Sequence, residues 1–330
     1  MSAVEHMTVA GDEADLRLDR WFRRHFPEIA HGRLQKLLRT GQVRVDGRRA
    51  RSDLRLEAGQ TVRVPPVGEA TPAPRQRPSS AVPRPGDAGL LRSMILYEDQ
   101  RLLVLAKPPG LAVQGGTGTT RHVDALLRAL EAEGGSRLRL VHRLDRDTSG
   151  ILVVAKTAAS ATELTAAFRR HEVDKLYWGI VVGRPDIPAG TIDLALAKQP
   201  GRKGERMEPD DEEGRKARTI YRTLARAGKV ATWLALKPLT GRTHQLRAHC
   251  AAIGTPILGD GKYGGKAARL PGAPSGLMLH AREIGLPMPG GRTLKVTAPP
   301  PQAMREAFDF LGFEKDQSLP GARLETFGEP

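Results

Sequence analysis

At 330 residues the chain has room for a catalytic domain of ordinary size, a small accessory module and a sizeable buried core. With 39% hydrophobic and 27% charged residues, no apolar run near the roughly 20 residues that span a bilayer and no secretory signal in MSAVEHMTVAGDEADLRLDR, it reads as a soluble cytoplasmic protein without a membrane partner. The balance of 52 Lys+Arg against 37 Asp+Glu leaves a charge of +15 and a pI near 10.4, a surplus suited to a polyanion, which does not itself choose among RNA, DNA and an anionic membrane.

Residues 1–66 form the first expected domain. Arg17, Leu18, Trp21 and Phe22 recur at helical spacing before Pro27, and Leu34, Leu37 and Leu38 mark a second helix that ends at Gly41. The stretch QVRVDGRRARSDLRLEAGQTVRVP then alternates apolar and polar residues around Asp46-Gly47, a hairpin signal, and closes with a strand ending at Pro65. From Arg17 to Pro65 there are 13 basic residues against 5 acidic, so 8 of the 15 excess charges sit in one compact αα-β stretch. Arg33, Lys36 and Arg39 share a helical face, Arg44, Arg48, Arg49 and Arg51 crowd the hairpin, and Arg20 lies on the first helix. Arg20, Arg33, Lys36, Arg39, Arg48 and Arg51 are the candidate RNA contacts. The run RLDRWFRRHFPEIAHGRLQKLLRTGQVRVDGRRA resembles the αL RNA-binding module first described in a small-subunit ribosomal protein.

Residues 67–89 are rich in proline and small residues and read as a linker, partly extended and unable to bury a core. Residues 90–330 have the composition of a folded domain. Apolar runs RLLVLAK, ILVVAK, YWGIVVG and WLALKP predict strands, and VDALLRALEA, SATELTAAFRRH and THQLRAHCAAI predict helices. With irregular intervals and no repeat, the fold class is α+β with a mixed central sheet and flanking helices. Cys250, the single cysteine, excludes an intramolecular disulfide and is expected to fill space. The charged stretch Ala197–Lys216 is expected to be a mobile loop over RNA, and the residues after Phe313 a loose tail.

The polar run HRLDRDTSG lies between two predicted strands, where Asp145 alone would be an ordinary ion-paired loop residue and Gly150 turn punctuation. Its full wording resembles the signature of the RluA family of pseudouridine synthases. LAKPPGLAVQ (Leu105 to Gln114), Lys175-Leu176-Tyr177 and LTGRTHQLRAH (Leu239 to His249) are similar to the family's other motifs, in the family's order, and GRKARTIY, LGDGKYGG and LMLHA agree. The resemblance implies Asp145 as covalent nucleophile, Arg247 as its bidentate partner, and Tyr177 as an aromatic that stacks on uracil and places its hydroxyl for proton work. It places Lys107, His142, Arg143, Lys175, Arg242, Thr243, His244 and Leu279 around the substrate, and calls for neither a cofactor nor a metal.

A carboxylate fits this chemistry, because it can form and later leave an adduct with the sugar or the base. The plainer readings are an exposed helix arginine at Arg247, a satisfied strand aromatic at Tyr177 and a core histidine at His244. GGTGTT lacks dinucleotide-motif spacing and GKYGGK is not a Walker loop, so no nucleotide cofactor is implied. The pair Asp145 and Asp147 weakly suggests an N-glycoside hydrolase. The expected protein is a monomer that modifies large-subunit ribosomal RNA. The alternatives are a transfer-RNA enzyme of the same family and a non-catalytic RNA-binding or ribosome-assembly factor.

Overall fold

The computed structural model describes residues 4–29, 31–66, 84–115, 119, 121–199, 206–314 and 321–327. The chain divides into two compact units, Met1–Ser79 and Ser80–Pro330. Most of the stretch expected to be a linker, residues 67–83, lies outside the described residues, and its expected end at Gly89 falls inside a helix, Asp87–Ser93.

In the first unit, strand β1 (Glu5–Thr8) is followed by helices α1 (Leu18–His25) and α2 (His31–Arg39), the short hairpin β2 (Arg44–Val45) and β3 (Arg48–Arg49), and strand β4 (Thr61–Val64). The sheet order is β1-β4-β2-β3. Its core is the helical stripe Leu18, Trp21, Phe22, Leu34 and Leu38 packed on Val43, Val45, Val62 and Val64. The tight turn at Asp46-Gly47 takes positive φ at both residues, +48° and +75°, the backbone a two-residue hairpin requires. Strand β1 precedes the helical pattern at which the αα-β reading begins; its apolar content is too small to announce a strand, and it forms by pairing antiparallel with β4.

The second unit runs α3 (Asp87–Ser93), β5 (Ile95–Glu98), β6 (Leu102–Lys107), α4 (Val123–Ala132), β7 (Arg139–Leu140), β8 (Ser149–Ala155), α5 (Ala158–Arg169) and β9 (Asp174–Val182). It continues with β10 (Ala189–Asp193), β11 (Leu196–Gln199), β12 (Arg206–Pro209), β13 (Arg218–Ala227), β14 (Ala231–Pro238), α6 (Gln245–Ala252), β15 (Leu279–Pro287), β16 (Thr293–Thr297) and α7 (Gln302–Leu311). One mixed sheet has the order β10-β13-β14-β9-β15-β8-β6-β5, with β16 against β15 and β7 against β8. The predicted α+β class is the observed one. Two apolar cores share this sheet. One gathers β6, β8, α4 and part of β15, the other β9, β13, β14, α6 and α7, and Tyr177 packs against both. Helix starts are set locally: the His122 ring accepts the Ala125 N–H at 3.2 Å and the Thr157 hydroxyl accepts the Ser160 N–H at 3.0 Å.

Three expectations change. Gly150 is not turn punctuation; it lies in β8 at φ +106°, paired with Ala281, and a Cβ there would come within 2.2 Å of the Ala281 carbonyl oxygen. Within Ala197–Lys216, residues 200–205 lie outside the described residues, but on either side of them β11 and β12 pair antiparallel, in register from Leu196↔Pro209 to Gln199↔Arg206. Of the expected tail, the described residues 321–327 are docked rather than loose. Ala322 and Phe327 are buried, the Trp178 indole N–H donates to the Ala322 carbonyl at 3.1 Å, and the Leu324 N–H donates to the Glu283 carboxylate at 3.0 Å. Residues 315–320 and 328–330 of that expected tail lie outside the described residues.

Candidate active site

Asp145 sits in the loop that joins β7 to β8, at the centre of the sheet. The loop is held from beneath by Lys107, the last residue of β6. Its ammonium is buried and donates three hydrogen bonds of 2.9 Å, to the carbonyls of Pro108, Leu111 and Arg146. Burial pushes Lys107 down to about 8, against the opposing pull of Asp147 and Asp145, so near neutrality it keeps the proton that its third hydrogen bond needs. With every N–H used, Lys107 cannot serve as the substrate contact expected of it; it ties the LAKPPG turn to the loop that carries Asp145.

Two cavities meet at Asp145. The larger, about 1010 Å³, is lined by Pro109 to Gly115 in part, Arg143, Arg146, Thr243, His244, Arg247 and Lys262. The smaller, about 450 Å³, is lined by His142, Lys175, Tyr177, Arg242, His244, Arg247 and Leu279 among others. Both include Arg143, Leu144, Asp145, His244 and Arg247. The carboxylate thus stands in the wall shared by two half-open cavities, a larger groove and a smaller chamber of small-molecule size.

Each carboxylate oxygen of Asp145 faces one nitrogen: Oδ2 lies 3.6 Å from Arg247 Nη1, and Oδ1 lies 3.7 Å from His244 Nε2. The bidentate partner expected for Arg247 is a different carboxylate. Its Nε and Nη2 donate to Asp260 at 2.7 and 2.8 Å, both groups being buried, and the remaining nitrogen is left to face Asp145. Burial opposes charge on this pair, but mutual hydrogen bonds win, holding Asp260 below and Arg247 above their ordinary values. Asp260 also accepts the N–H groups of Lys262 and Tyr263 at 3.1 Å. It sits beside Gly259, where φ is +81° and a Cβ would approach the Gly276 carbonyl oxygen to 1.8 Å. Asp260 and Tyr263 were not among the expected site residues. The LGDGKYGG segment pointed to them, but glycine-rich spacing alone does not separate a turn from a support.

His244 caps α6 with φ +51°, a left-handed backbone that costs a non-glycine residue about 1 kcal/mol. Its ring meets the Tyr263 hydroxyl at 2.9 Å through Nδ1. Burial is the main cause that lowers its pKa, so the ring is neutral near pH 7.

Tyr177 and Trp178 divide the faces of β9 as alternation requires: Trp178 is buried in one core, while Tyr177 lines the smaller cavity. Burial, with the charge of Asp145, pushes the Tyr177 phenol well above its ordinary value, so near neutrality it is a hydrogen-bond donor and not a base. Leu279 and Ala281 of β15 pair beside it, at Gly179 and Tyr177. Burial lowers Lys175 at the same cavity. His142 is not a phosphate-binding cation. Its Nε2 accepts the Val153 N–H at 2.8 Å, its ring stacks on Phe168 at 4.3 Å, and burial pushes it down to about 3. Arg143 donates to the Thr243 hydroxyl at 3.0 Å, a bond between the two motif loops, and Arg242 donates to the Lys216 carbonyl at 3.0 Å. Cys250 is fully buried, its thiol pushed up to about 12 by burial, and fills space as expected. Arg20, Arg33, Lys36, Arg39, Arg48 and Arg51 belong to the first unit and all are exposed.

A family model described as RNA pseudouridylate synthase matches residues 101–252, the span that carries Lys107, Asp145, Tyr177 and Arg247. The chain is 36% identical to the ribosomal large subunit pseudouridine synthase C of Salmonella typhimurium over 316 residues, covering 94% of this chain and 97% of that protein. The protein of the same name from Vibrio cholerae is 37% identical over 304 residues, with 90% and 93% covered. Among solved structures, human RNA pseudouridylate synthase domain containing 4 aligns with a TM-score of 0.58 at 27% identity, covering 69% of this chain and 97% of that one. Human RNA pseudouridylate synthase domain containing 1 aligns at 0.52 and 30%, covering 63% and 83%.

Proposed function

The chain belongs to the RNA pseudouridylate synthase family, and on that premise we propose that it isomerises particular uridines of large-subunit ribosomal RNA with Asp145 as the covalent nucleophile. The observation that carries the nucleophile is the place of Asp145 in the wall shared by the two cavities. A strand of RNA occupies the groove, and the target nucleotide is flipped past Asp145 into the chamber, at a cost of a few kcal/mol that is smallest in loops and bulges. There Tyr177 offers an aromatic face and an O–H donor, Leu279 an apolar wall, and Arg143, Lys175 and Arg242 positive charge.

Arg247, fixed by Asp260, and His244 align the carboxylate. The carboxylate adds to the ribose or to the uracil ring; the bond from ribose carbon 1′ to nitrogen 1 breaks, the base turns, carbon 5 bonds to carbon 1′, and its hydrogen leaves as a proton while nitrogen 1 gains one. The carboxylate departs unchanged. No electron is gained or lost. The choice of substrate follows the names of the bacterial relatives. The proposed enzyme is a monomer that works in the cytoplasm. The first unit, read as the αL module, holds RNA through Arg20, Arg33, Lys36, Arg39, Arg48 and Arg51; among the described residues these six have no ion-pair partner, whereas Arg17, Arg24 and Arg55 are paired with Asp19, Asp12 and Asp15.

One experiment tests nucleophile and substrate together. Pseudouridines are mapped in ribosomal and transfer RNA from cells that lack the gene, complemented with wild type or Asp145→Asn. Sites in large-subunit ribosomal RNA restored only by wild type are expected. Restoration by the variant would remove Asp145 from its role, and restored sites confined to transfer RNA would remove the substrate assignment.

A further inference from the structure

The His244 ring touches Tyr263 through Nδ1, and the groups around the tyrosine hydroxyl bear on where the ring proton sits. The Tyr263 oxygen accepts the Met207 N–H at 3.0 Å, and the His244 Nδ1 lies 2.9 Å from the same oxygen. The guanidiniums of Arg206 and Arg247 stand over the ring, each 5.1 Å from its centroid, and have only hydrogens to offer. Among the described residues, the one acceptor bonded to the Tyr263 hydroxyl is therefore His244 Nδ1. Were Nδ1 to carry the ring proton, the part-buried tyrosine hydroxyl would lose this acceptor, the one it has among the described residues.

We infer that Tyr263 is a positioning residue that donates its hydroxyl hydrogen to His244 Nδ1, and so fixes the ring as the tautomer that directs Nε2–H toward Asp145. The same side chain acts twice, since its face packs on the Arg247 guanidinium that serves the other oxygen of Asp145. Its own place is set by Asp260, which accepts the Tyr263 N–H. His244, held at a left-handed φ of +51° at the start of α6, stands with its ring between Tyr263 and Asp145. A neutral donor suits this position, because it orients a carboxylate oxygen for attack and can follow it as charge leaves on adduct formation, with no need to lose a proton. Tyr263 thereby links the β11–β12 strand pair, through the Met207 N–H and Arg206, to the nucleophile.

The inference rests on Asp145 being the nucleophile, and the test separates the two. The tautomer is read in the intact wild-type protein from nitrogen-15 chemical shifts and long-range couplings of the His244 imidazole, a measurement that needs no variant. Nε2–H as the dominant form is expected; Nδ1–H overturns the inference. Tyr263→Phe removes only the hydroxyl. It is expected to give a mixed tautomer and to slow single-turnover isomerisation about tenfold, the scale of one hydrogen bond, with RNA affinity unchanged. An unchanged tautomer and rate in that variant also overturns it. Asp145→Asn is assayed beside it: if it still isomerises uridine, the nucleophile reading fails, whichever tautomer is found.

Discussion

His142 and His280 are both held as neutral rings by burial, pushed down to about 3 and about 4. His142 has no room for a second proton, since its Nε2 accepts the Val153 N–H, and the His280 ring donates from Nε2 to the Ala298 carbonyl with Nδ1 2.9 Å from the Ser149 hydroxyl. The folded values lie below the unfolded value near 6.5, so the unfolded chain binds more protons between those limits. Their contribution is present above pH 6.5 and is lost as pH falls toward 4 and then 3, by up to about 1.4 kcal/mol per pH unit for each ring. Urea unfolding at pH 7, 6, 5 and 4 is expected to show a falling stability, with a shallower slope in His142→Asn; a flat profile would contradict the neutral assignment. Residue chemistry was only half legible in the sequence. Asp145 and Arg247 stand there as ions of opposite sign, but a third ion, Asp260, takes the bidentate contact, and that competition exists only once α6 and the Gly259 turn are brought together. His142 and Lys107 look like cations for RNA for the same reason: sequence shows charge, not the carbonyls or rings that enclose it.

Elements with local start signals were read closely. The predicted helix VDALLRALEA is α4 (Val123–Ala132), whose cap is the residue just before it. The C-terminal segment carries no such signal, because its partners are far away in the chain: Phe327 is buried against Leu176, Ile220 and Ala235, and Ala322 receives the Trp178 N–H. Leu176 and Trp178 flank Tyr177 on β9, so this segment packs behind the strand that presents the aromatic to the cavity. Phe327→Ala is expected to destabilise the second unit by about 3–5 kcal/mol, the usual loss for a buried phenylalanine. Thermal and urea unfolding measure it, with Trp178 emission moving to the red if the segment detaches. A variant as stable as wild type would return the segment to the status of a tail.

At the scale of the molecule, charge is partitioned. The first unit carries 8 of the 15 excess positive charges between Arg17 and Pro65, on a core of its own. Deleting residues 1–66 is expected to weaken RNA binding and to flatten its dependence on salt by about 0.7–0.9 in log–log slope for each phosphate no longer neutralised, while sparing the single-turnover rate on bound RNA. Filter binding across a salt series checks this, and an unchanged slope would take the module out of RNA docking. The shared wall at Asp145 has a pharmacological corollary. A compound that fills the 450 Å³ chamber and leaves the groove open would let RNA dock on the groove and the first unit yet deny the nucleotide its seat. Raising the RNA concentration would then overcome such an inhibitor poorly, and the enzyme would be converted into an occupant that shields its target.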